Sequence, residues 1–317
     1  MMSISAWTVF RKGRMLSSAC LAIAWLSLSP PALAAKPTAQ ATFASPELAM
    51  DGLVAALRSG DTKAIGKVLG PGSEKLLSSG DPVETKNARA RFLAAVADGS
   101  KTEKRDNGDV FFDVGKDEWP FPIPVVMKDG SWHFDARAGA EEIINRRIGA
   151  NELNTINVCL AYVDAQREYA TKDRDRDGFL EYAQQFLSDP GQQNGLYWPQ
   201  QVGEEESPMG PLMVQAQAKG YSFHKGERAP YFGYYFRILK AQGPHATDGA
   251  LDYVVRGHMI GGFALVAYPA EYGSSGVMTF IVNYEGIVYQ KDLGPKTAEI
   301  AEKMTLYDPD PSWKKAQ

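Results

Sequence analysis

The amino-acid sequence predicts an α+β fold in which helices precede an antiparallel sheet twice along the chain. Apolar residues recur at helical spacing over residues 45–98 and again over 152–170. Short aromatic or β-branched segments follow each helical region, and they dominate the chain from Tyr231 onward. Helices and strands that are segregated along the chain are typical of α+β proteins rather than of alternating α/β proteins.

Residues 1–34 predict a secretory signal peptide. Three basic residues and no acidic ones precede an apolar run, 15–28, which is shorter than the roughly 20 residues of a membrane-spanning helix. Small residues then flank Leu33, so we expect cleavage between Ala34 and Ala35. The sequence therefore predicts a protein that is periplasmic or secreted, and it shows no later apolar stretch of membrane length.

The charge balance of the predicted mature chain excludes some classes of partner. The signal peptide removes three of the 34 basic side chains and none of the 38 acidic ones, so the net charge falls from −4 to −7. Proteins that bind nucleic acids or anionic membranes usually carry basic patches, so we expect neither activity. Only Cys159 remains of the two cysteines, so no intramolecular disulfide can form.

We expect a linker over 35–44 and an N-terminal α+β domain over 45–149. Its helices begin after the capping residues Ser45, Asp61 and Asp81. Short strands follow over 109–134, and the alternating prolines of 121–127 indicate an edge strand or an extended segment.

A second domain is predicted over 150–317 as a helix followed by an antiparallel sheet. Helical patterns cover 141–148 at the end of the first domain, and then 152–170, 180–187, 212–218 and 298–304. The segments 277–282 and 287–289 predict a hairpin around Gly286.

Several sequence blocks resemble a bacterial family of exported proteins, known as domain of unknown function 2950. The blocks are DEWPFP (117–122), CLAYVDAQ (159–166), GLYWP (195–199), GYYFR (233–237), GGFALVA (261–267) and VMTFIVN (277–283). The resemblance implies export and an uncharacterised function, and it carries over no catalytic residue.

The second half also resembles the soluble domains of bacterial pseudopilins. A long helix, an acidic loop, a short helix and an antiparallel sheet follow one another in both, which implies a pilin-like fold. Pseudopilins have a long apolar N-terminal helix, whereas the helix here is amphipathic and lies in mid-chain. The resemblance therefore implies no filament role.

An acidic loop between two predicted helices has the pattern of a calcium loop. Carboxylates and a carbonyl at alternate positions before and after a glycine can converge on one oxygen-seeking ion. The candidate ligands are Asp173, Asp175, Asp177, Phe179 and Glu181. Gln184 replaces the bidentate glutamate of the full pattern, so any calcium site would be weak. The alternative is a solvated turn in which Asp177 caps the next helix.

Aromatic residues in the second half predict a recognition surface. Tyr and Trp suit sites where an apolar body meets a polar rim. The candidates are Tyr197, Trp198, Tyr234 and Tyr235, and the expected partner is an envelope protein, a peptide or a glycan. Ordinary packing in the sheet is the alternative interpretation.

The sequence contains no complete catalytic signature. His133 and Asp135 share one strand face and could form an acid–base cluster with Glu141 or Glu142. We therefore expect an exported, non-enzymatic protein of the cell envelope with a binding or assembly role. The alternative is an envelope enzyme with an acid–base cleft between the two halves.

Overall fold

The computed structural model describes residues 39–316 except positions 175, 201, 202 and 204, so the predicted signal peptide, residues 1–34, lies outside the described residues. The helices are α1 (Pro46–Ser59), α2 (Thr62–Leu69), α3 (Glu74–Leu77), α4 (Pro82–Asp98), α5 (Ala136–Tyr169), α6 (Gly210–Ala218) and α7 (Thr297–Lys303). The first strands are β1 (Ser100–Lys104), β2 (Val110–Val114), β3 (Trp119–Lys128) and β4 (Ser131–Phe134). The later ones are β5 (Tyr234–Leu239), β6 (Ala241–Gln242), β7 (Leu251–Asp252), β8 (Val254–Val255), β9 (His258–Met259), β10 (Ala264–Pro269), β11 (Met278–Asn283), β12 (Tyr289–Asp292) and β13 (Lys314–Lys315). The predicted α+β class is confirmed.

The N-terminal helices begin at the predicted caps. The Ser45 side chain accepts a hydrogen bond from Leu48 N–H, and Asp61 and Asp81 cap α2 and α4 in the same way. Gly60 ends α1 with a left-handed backbone, φ 71°, that glycine adopts without steric cost. The apolar faces of α1 and α2 pack on strands β2 to β4 and form one core cluster.

Strands β1 to β4 form an antiparallel sheet in sequence order, so β3 lies inside the sheet. The prediction of an edge strand is therefore wrong for β3 as a whole. Its first half, which contains the prolines, pairs only with β2, because β4 pairs with residues 125–128 alone. The prolines lack an N–H donor, and they occupy the part of the strand that has one partner.

A single helix, α5, replaces the two helices predicted over 141–148 and 152–170. No proline interrupts it, and Gly149 is tolerated inside the helix. Its N-terminal part packs on β3, where Gly139 is required because a Cβ atom would lie 2.2 Å from the carbonyl oxygen of Pro122. Its C-terminal part packs on β10 and β11. The predicted domain boundary at 149/150 falls within this helix, and the division into domains stays a prediction.

The second sheet is antiparallel in the order β13-β12-β11-β10-β5. Strands β10 and β11 are almost entirely buried and form the centre of the larger core cluster. The predicted hairpin around Gly286 joins β11 to β12, and α6 and α7 confirm the helices predicted over 212–218 and 298–304. The likeness to pilins stays a prediction.

The helix predicted over 180–187 does not form. Tertiary contacts take the backbone groups that a helix would use. Tyr182 N–H donates to the carbonyl of Met259, and the buried Gln166 side chain bonds both the N–H and the carbonyl of Ala183. Leu187 forms a parallel bridge with Tyr197. Contacts with α5, β9 and Tyr197 therefore hold this segment in place of helical hydrogen bonds.

None of the helices in the described part of the chain combines the length and the apolar character that crossing a membrane requires.

Candidate functional site

A cavity of about 600 Å³ lies beside β5, and we call it the aromatic cavity. Its volume is in the usual range for small-molecule sites. Methionines 209 and 213 and Val158 add apolar surface to its walls. Seven aromatic side chains define it: Phe186, Tyr197, Phe223, Tyr231, Tyr235, Phe236 and Tyr268.

Arg237 of β5 lines the aromatic cavity and forms no ion pair with a carboxylate of the described residues. Its Nη2 donates to the carbonyl oxygen of Ala301 at 2.7 Å and also to that of Met304. No carboxylate of the described residues lies within 4.0 Å of its guanidinium. Its Nε is buried and finds no hydrogen-bond partner among those residues. The partners of this guanidinium are neutral carbonyls, so its positive charge remains available to an anion.

A second arginine, Arg228, is held rigidly at the cavity wall. Its guanidinium carbon lies 4.1 Å from the ring centroid of Tyr235 and 5.4 Å from that of Tyr268. One nitrogen pairs with Glu302 at 2.5 Å, and another donates to the Tyr268 hydroxyl at 2.6 Å. Glu302 offsets the charge of Arg228, so this arginine orders the rings more than it attracts an anion.

The structure separates the four predicted binding residues into two pairs. Tyr197 and Tyr235 line the aromatic cavity. Trp198 is 4% exposed and Tyr234 is 0% exposed, and neither lines the cavity. Their hydrogen bonds go to Glu205 O for Trp198 and to Met278 O for Tyr234. Trp198 and Tyr234 are core residues, and a binding role for the four aromatic residues stays a prediction.

A second cavity, of about 680 Å³, lies among α1, α2, α4, α5 and β3, and we call it the helical cavity. Leucine and isoleucine side chains form much of its wall, together with Phe92, Trp119 and Phe121. Arg147 lines it and donates from Nε to Ser274 O at 2.9 Å and from Nη2 to Lys75 O at 2.9 Å. Burial lowers the pKa of Arg147, while Glu271 and Glu84 act in the opposite direction. No sequence motif indicated this cavity.

The acidic loop is ordered by its own carboxylates. Asp173 accepts hydrogen bonds from Asp177 N–H at 3.1 Å and from Gly178 N–H at 2.9 Å. Asp177 accepts one from Phe179 N–H at 2.9 Å. Asp175 lies outside the described residues. The second flanking helix of a calcium-binding helix–loop–helix does not form here. Calcium binding by this loop stays a prediction.

Arg174 of the acidic loop is directed into the protein. Its side chain is 2% exposed and its Nη1 lies 3.4 Å from a Glu205 carboxylate oxygen. Its guanidinium carbon lies 5.5 Å from the ring centroid of Tyr169 and 5.4 Å from that of Trp198. Arg174 thus fixes the acidic loop to the core, whereas Arg176 is exposed.

A histidine from a distant part of the chain lies against the acidic loop. Nδ1 of His258 is 3.1 Å from an Asp177 carboxylate oxygen and 3.5 Å from one of Glu181. The three side chains are the one group of His, Cys, Asp and Glu in the described residues whose ligand atoms lie close enough together to hold a metal ion. Phe179 stacks on the His258 ring, with centroids 4.2 Å apart. Sequence reasoning missed His258 because it lies 77 positions from Glu181.

The residues proposed for acid–base chemistry are dispersed. His133 lies on β4 and Asp135 precedes α5, and neither lines the aromatic or the helical cavity. Glu141 is exposed, and Glu142 pairs with Arg146 at 2.7 Å. The enzyme hypothesis stays a prediction without support from these positions.

Comparison with known proteins identifies the family of the chain. Residues 40–316 match the family described as "Protein of unknown function (DUF2950)", and the chain belongs to it. This confirms the resemblance drawn from the sequence blocks. No curated protein and no solved structure matches the chain.

Proposed function

We propose that this protein is an exported, non-enzymatic binding protein of the cell envelope. Its ligand combines an apolar or aromatic body with an anionic end and occupies the aromatic cavity. The signal-peptide pattern of residues 1–34 supports export, and the seven aromatic side chains support the ligand class. A peptide side chain or a small molecule of this chemistry fits a cavity of about 600 Å³.

The observation that carries the proposal is the unpaired charge of Arg237. A guanidinium that donates only to neutral carbonyls keeps its net positive charge, and this charge favours an anionic ligand at the cavity wall. Hydrogen bonds to charged groups contribute about 1.5–3 kcal/mol each. An anionic end placed at Arg237 would therefore raise affinity by about tenfold or more over a neutral ligand of the same shape.

The aromatic walls account for the other part of the ligand. Tyr235 and Tyr268 are held 5.8 Å apart between their centroids, and Arg228 lies against both rings. Rings that are already ordered lose little conformational entropy when a ligand binds. A flat apolar body placed against them gains dispersion and hydrophobic free energy at small ordering cost.

Two fluorescent probes that differ by one charged group test this proposal on the mature protein. 1-Anilinonaphthalene-8-sulfonate carries a sulfonate, and N-phenyl-1-naphthylamine has the same ring body without it. We expect both to bind with one-to-one stoichiometry, and the sulfonate to bind about tenfold more tightly. Equal affinities, or binding of neither probe, would contradict the proposed ligand class.

A filled-cavity variant locates the bound probe. Ala229→Trp places an indole in the aromatic cavity and should abolish binding of both probes. Ala88 lines the helical cavity, so Ala88→Trp is the matched control and should leave both affinities unchanged. Thermal melting of each variant checks that the fold is retained. Loss of binding in Ala88→Trp alone would place the site in the helical cavity and refute the proposal.

Export is tested separately by the N-terminus of the native protein. We expect N-terminal sequencing of the envelope fraction to begin at Ala35. A native protein that retains Met1 and stays in the cytosolic fraction would refute export, and it would leave the cavity proposal open to the probe titrations.

A further inference from the structure

We propose that Asp177, Glu181 and His258 bind a divalent transition-metal ion of the zinc type. This site is independent of the aromatic cavity and shares no residue with it. It also differs from the calcium loop predicted from the sequence, because its third ligand comes from a separate hairpin and is a nitrogen.

The ligand atoms have the spacing of a metal site. Zn²⁺ bonds to histidine nitrogen and carboxylate oxygen are about 2.0–2.2 Å long, so neighbouring ligands of a tetrahedral ion lie about 3.3–3.5 Å apart. The Nδ1 atom of His258 lies 3.1 Å from Asp177 Oδ2 and 3.5 Å from Glu181 Oε2. All three ligand atoms lie within 4.8 Å of one another. A small shift would admit an ion with room for a water as the fourth ligand.

The hairpin that carries His258 is fixed by its backbone. Strands β8 and β9 pair Val255 with His258 across a two-residue turn, Arg256 and Gly257. Both turn residues have positive φ, 54° and 97°, as a tight hairpin turn of this kind requires. Met259 follows, is fully buried and anchors the strand to the core. His258 therefore projects from a rigid element rather than from a mobile loop.

Backbone N–H groups of the protein orient the two carboxylates of the proposed site. Met259 N–H donates to Glu181 Oε2 at 2.9 Å, and Phe179 N–H donates to Asp177 Oδ1 at 2.9 Å. The Phe179 ring stacks on His258. Such surrounding contacts orient ligands in metal sites and restrict their motion before the ion binds.

The donor set favours a borderline metal over calcium. Calcium takes oxygen ligands, whereas imidazole suits zinc, copper, iron and nickel. Two carboxylates and a neutral imidazole also carry a net charge of −2, which a divalent ion neutralises. The competing arrangement is a protonated His258 that pairs with both carboxylates and binds no metal.

The test uses the mature protein after removal of metals with a chelator. Calorimetric titration with ZnCl₂ should give one equivalent, and Co²⁺ should give visible absorption bands of a low-coordinate site at the same stoichiometry. Absence of both signals would show that the three side chains form only an ion pair. One equivalent of Ca²⁺ with no Zn²⁺ binding would favour the oxygen loop and overturn the proposal.

A matched histidine variant assigns the ion to this site. His258→Ala should weaken zinc binding at least tenfold and remove the Co²⁺ bands. His245 also faces a carboxylate, with Nδ1 3.0 Å from Asp308, but it has one carboxylate partner, so His245→Ala should leave both signals unchanged. Equal loss in the two variants, or no loss in His258→Ala, would refute the assignment.

A second variant keeps the test decisive if His258→Ala does not fold. Glu181→Gln retains an oxygen acceptor for Met259 N–H but weakens a metal ligand. Without metal, we expect the melting temperature of Glu181→Gln to stay near that of the wild type. Addition of ZnCl₂ should raise the melting temperature of the wild type but not that of Glu181→Gln. A normal rise in Glu181→Gln would contradict the proposed ligand set.

Discussion

The aromatic and helical cavities are similar in volume, but they use their arginines differently. In the helical cavity, Arg147 donates from both Nε and Nη2 to protein oxygens, and Glu271 and Glu84 act on its charge. In the aromatic cavity, Arg237 has neutral partners on one nitrogen and a buried Nε without a partner. Both Nε and Nη2 of Arg147 are bonded, whereas Nε of Arg237 is not. The two cavities are thus alike in volume but differ in how their arginines are bonded.

The largest expected effect concerns Asp81, a buried carboxylate that joins the start of α4 to residues in the second half of the chain. Its carboxylate caps α4 and accepts hydrogen bonds from the Tyr221 hydroxyl and Gly233 N–H, both at 2.9 Å. Asp81→Ala would leave these buried donors unpaired and should lower the free energy of unfolding by about 3 kcal/mol or more. Denaturant titration measures the change.

Asp61 provides the matched control for that prediction, because it caps α2 at an exposed position through Lys63 N–H alone. Asp61→Ala should cost about 1 kcal/mol. Equal costs for the two variants would show that the contacts of Asp81 with Tyr221 and Gly233 contribute little to stability.

The next effect compares the two arginines directly. Arg237→Met keeps an apolar side chain but removes the charge, and it should reduce affinity for the sulfonate probe about tenfold, to the level of the neutral probe. Arg147→Met should leave both affinities unchanged, although it loses hydrogen bonds to two backbone carbonyls. Fluorescence titration of each of the two variants with each of the two probes measures these affinities. A sulfonate preference that survives in Arg237→Met would remove the main support for an anionic ligand.

A smaller effect is expected at Arg228, whose charge Glu302 offsets. Arg228→Ala should lower the affinity for both probes about twofold to fivefold, because the rings of Tyr235 and Tyr268 lose the group that orders them. Arg146 is the control: it pairs with Glu142 and lies 5.2 Å from the Trp119 ring centroid, beside the other cavity. Titration of Arg146→Ala should show no change. A selective loss of the sulfonate probe in Arg228→Ala would transfer the anion site from Arg237 to Arg228.

The smallest expected effect concerns Cys159, which follows the cavity-lining Val158 on α5. Burial raises the pKa of the Cys159 thiol to about 12, so at pH 8 it is protonated as well as inaccessible. A thiol-specific disulfide reagent should not label the native protein and should label one thiol per mature chain in denaturant. Rapid labelling of the native protein would show that the wall behind the aromatic cavity opens.

Local signals in the sequence predicted the starts of α1, α2 and α4 and the class of the fold. Ser45, Asp61 and Asp81 cap helices because capping depends on a few neighbouring backbone groups. The extended segment over 180–187 was predicted as a helix, because the partners that hold it, Gln166 and Met259, are distant in sequence. The sequence likewise did not predict that β3 lies inside the sheet, because this depends on how far β4 extends along β3.

Only part of the candidate sites could be found from the sequence. Aromatic density predicted a recognition surface at four residues, of which Tyr197 and Tyr235 line the aromatic cavity while Trp198 and Tyr234 fill the core. Nothing local distinguishes an arginine with an unsatisfied Nε from one that is fully bonded, so Arg237 was missed. His258 was missed because the contact with Asp177 and Glu181 is created by the fold.

A crystal structure of the mature protein soaked with 1-anilinonaphthalene-8-sulfonate tests most directly whether the aromatic cavity is the binding site. We predict density for the naphthalene ring against Tyr235 and for the sulfonate within hydrogen-bonding distance of the Arg237 guanidinium. Density in the helical cavity, or a sulfonate that points away from Arg237 into solvent, would contradict the proposal.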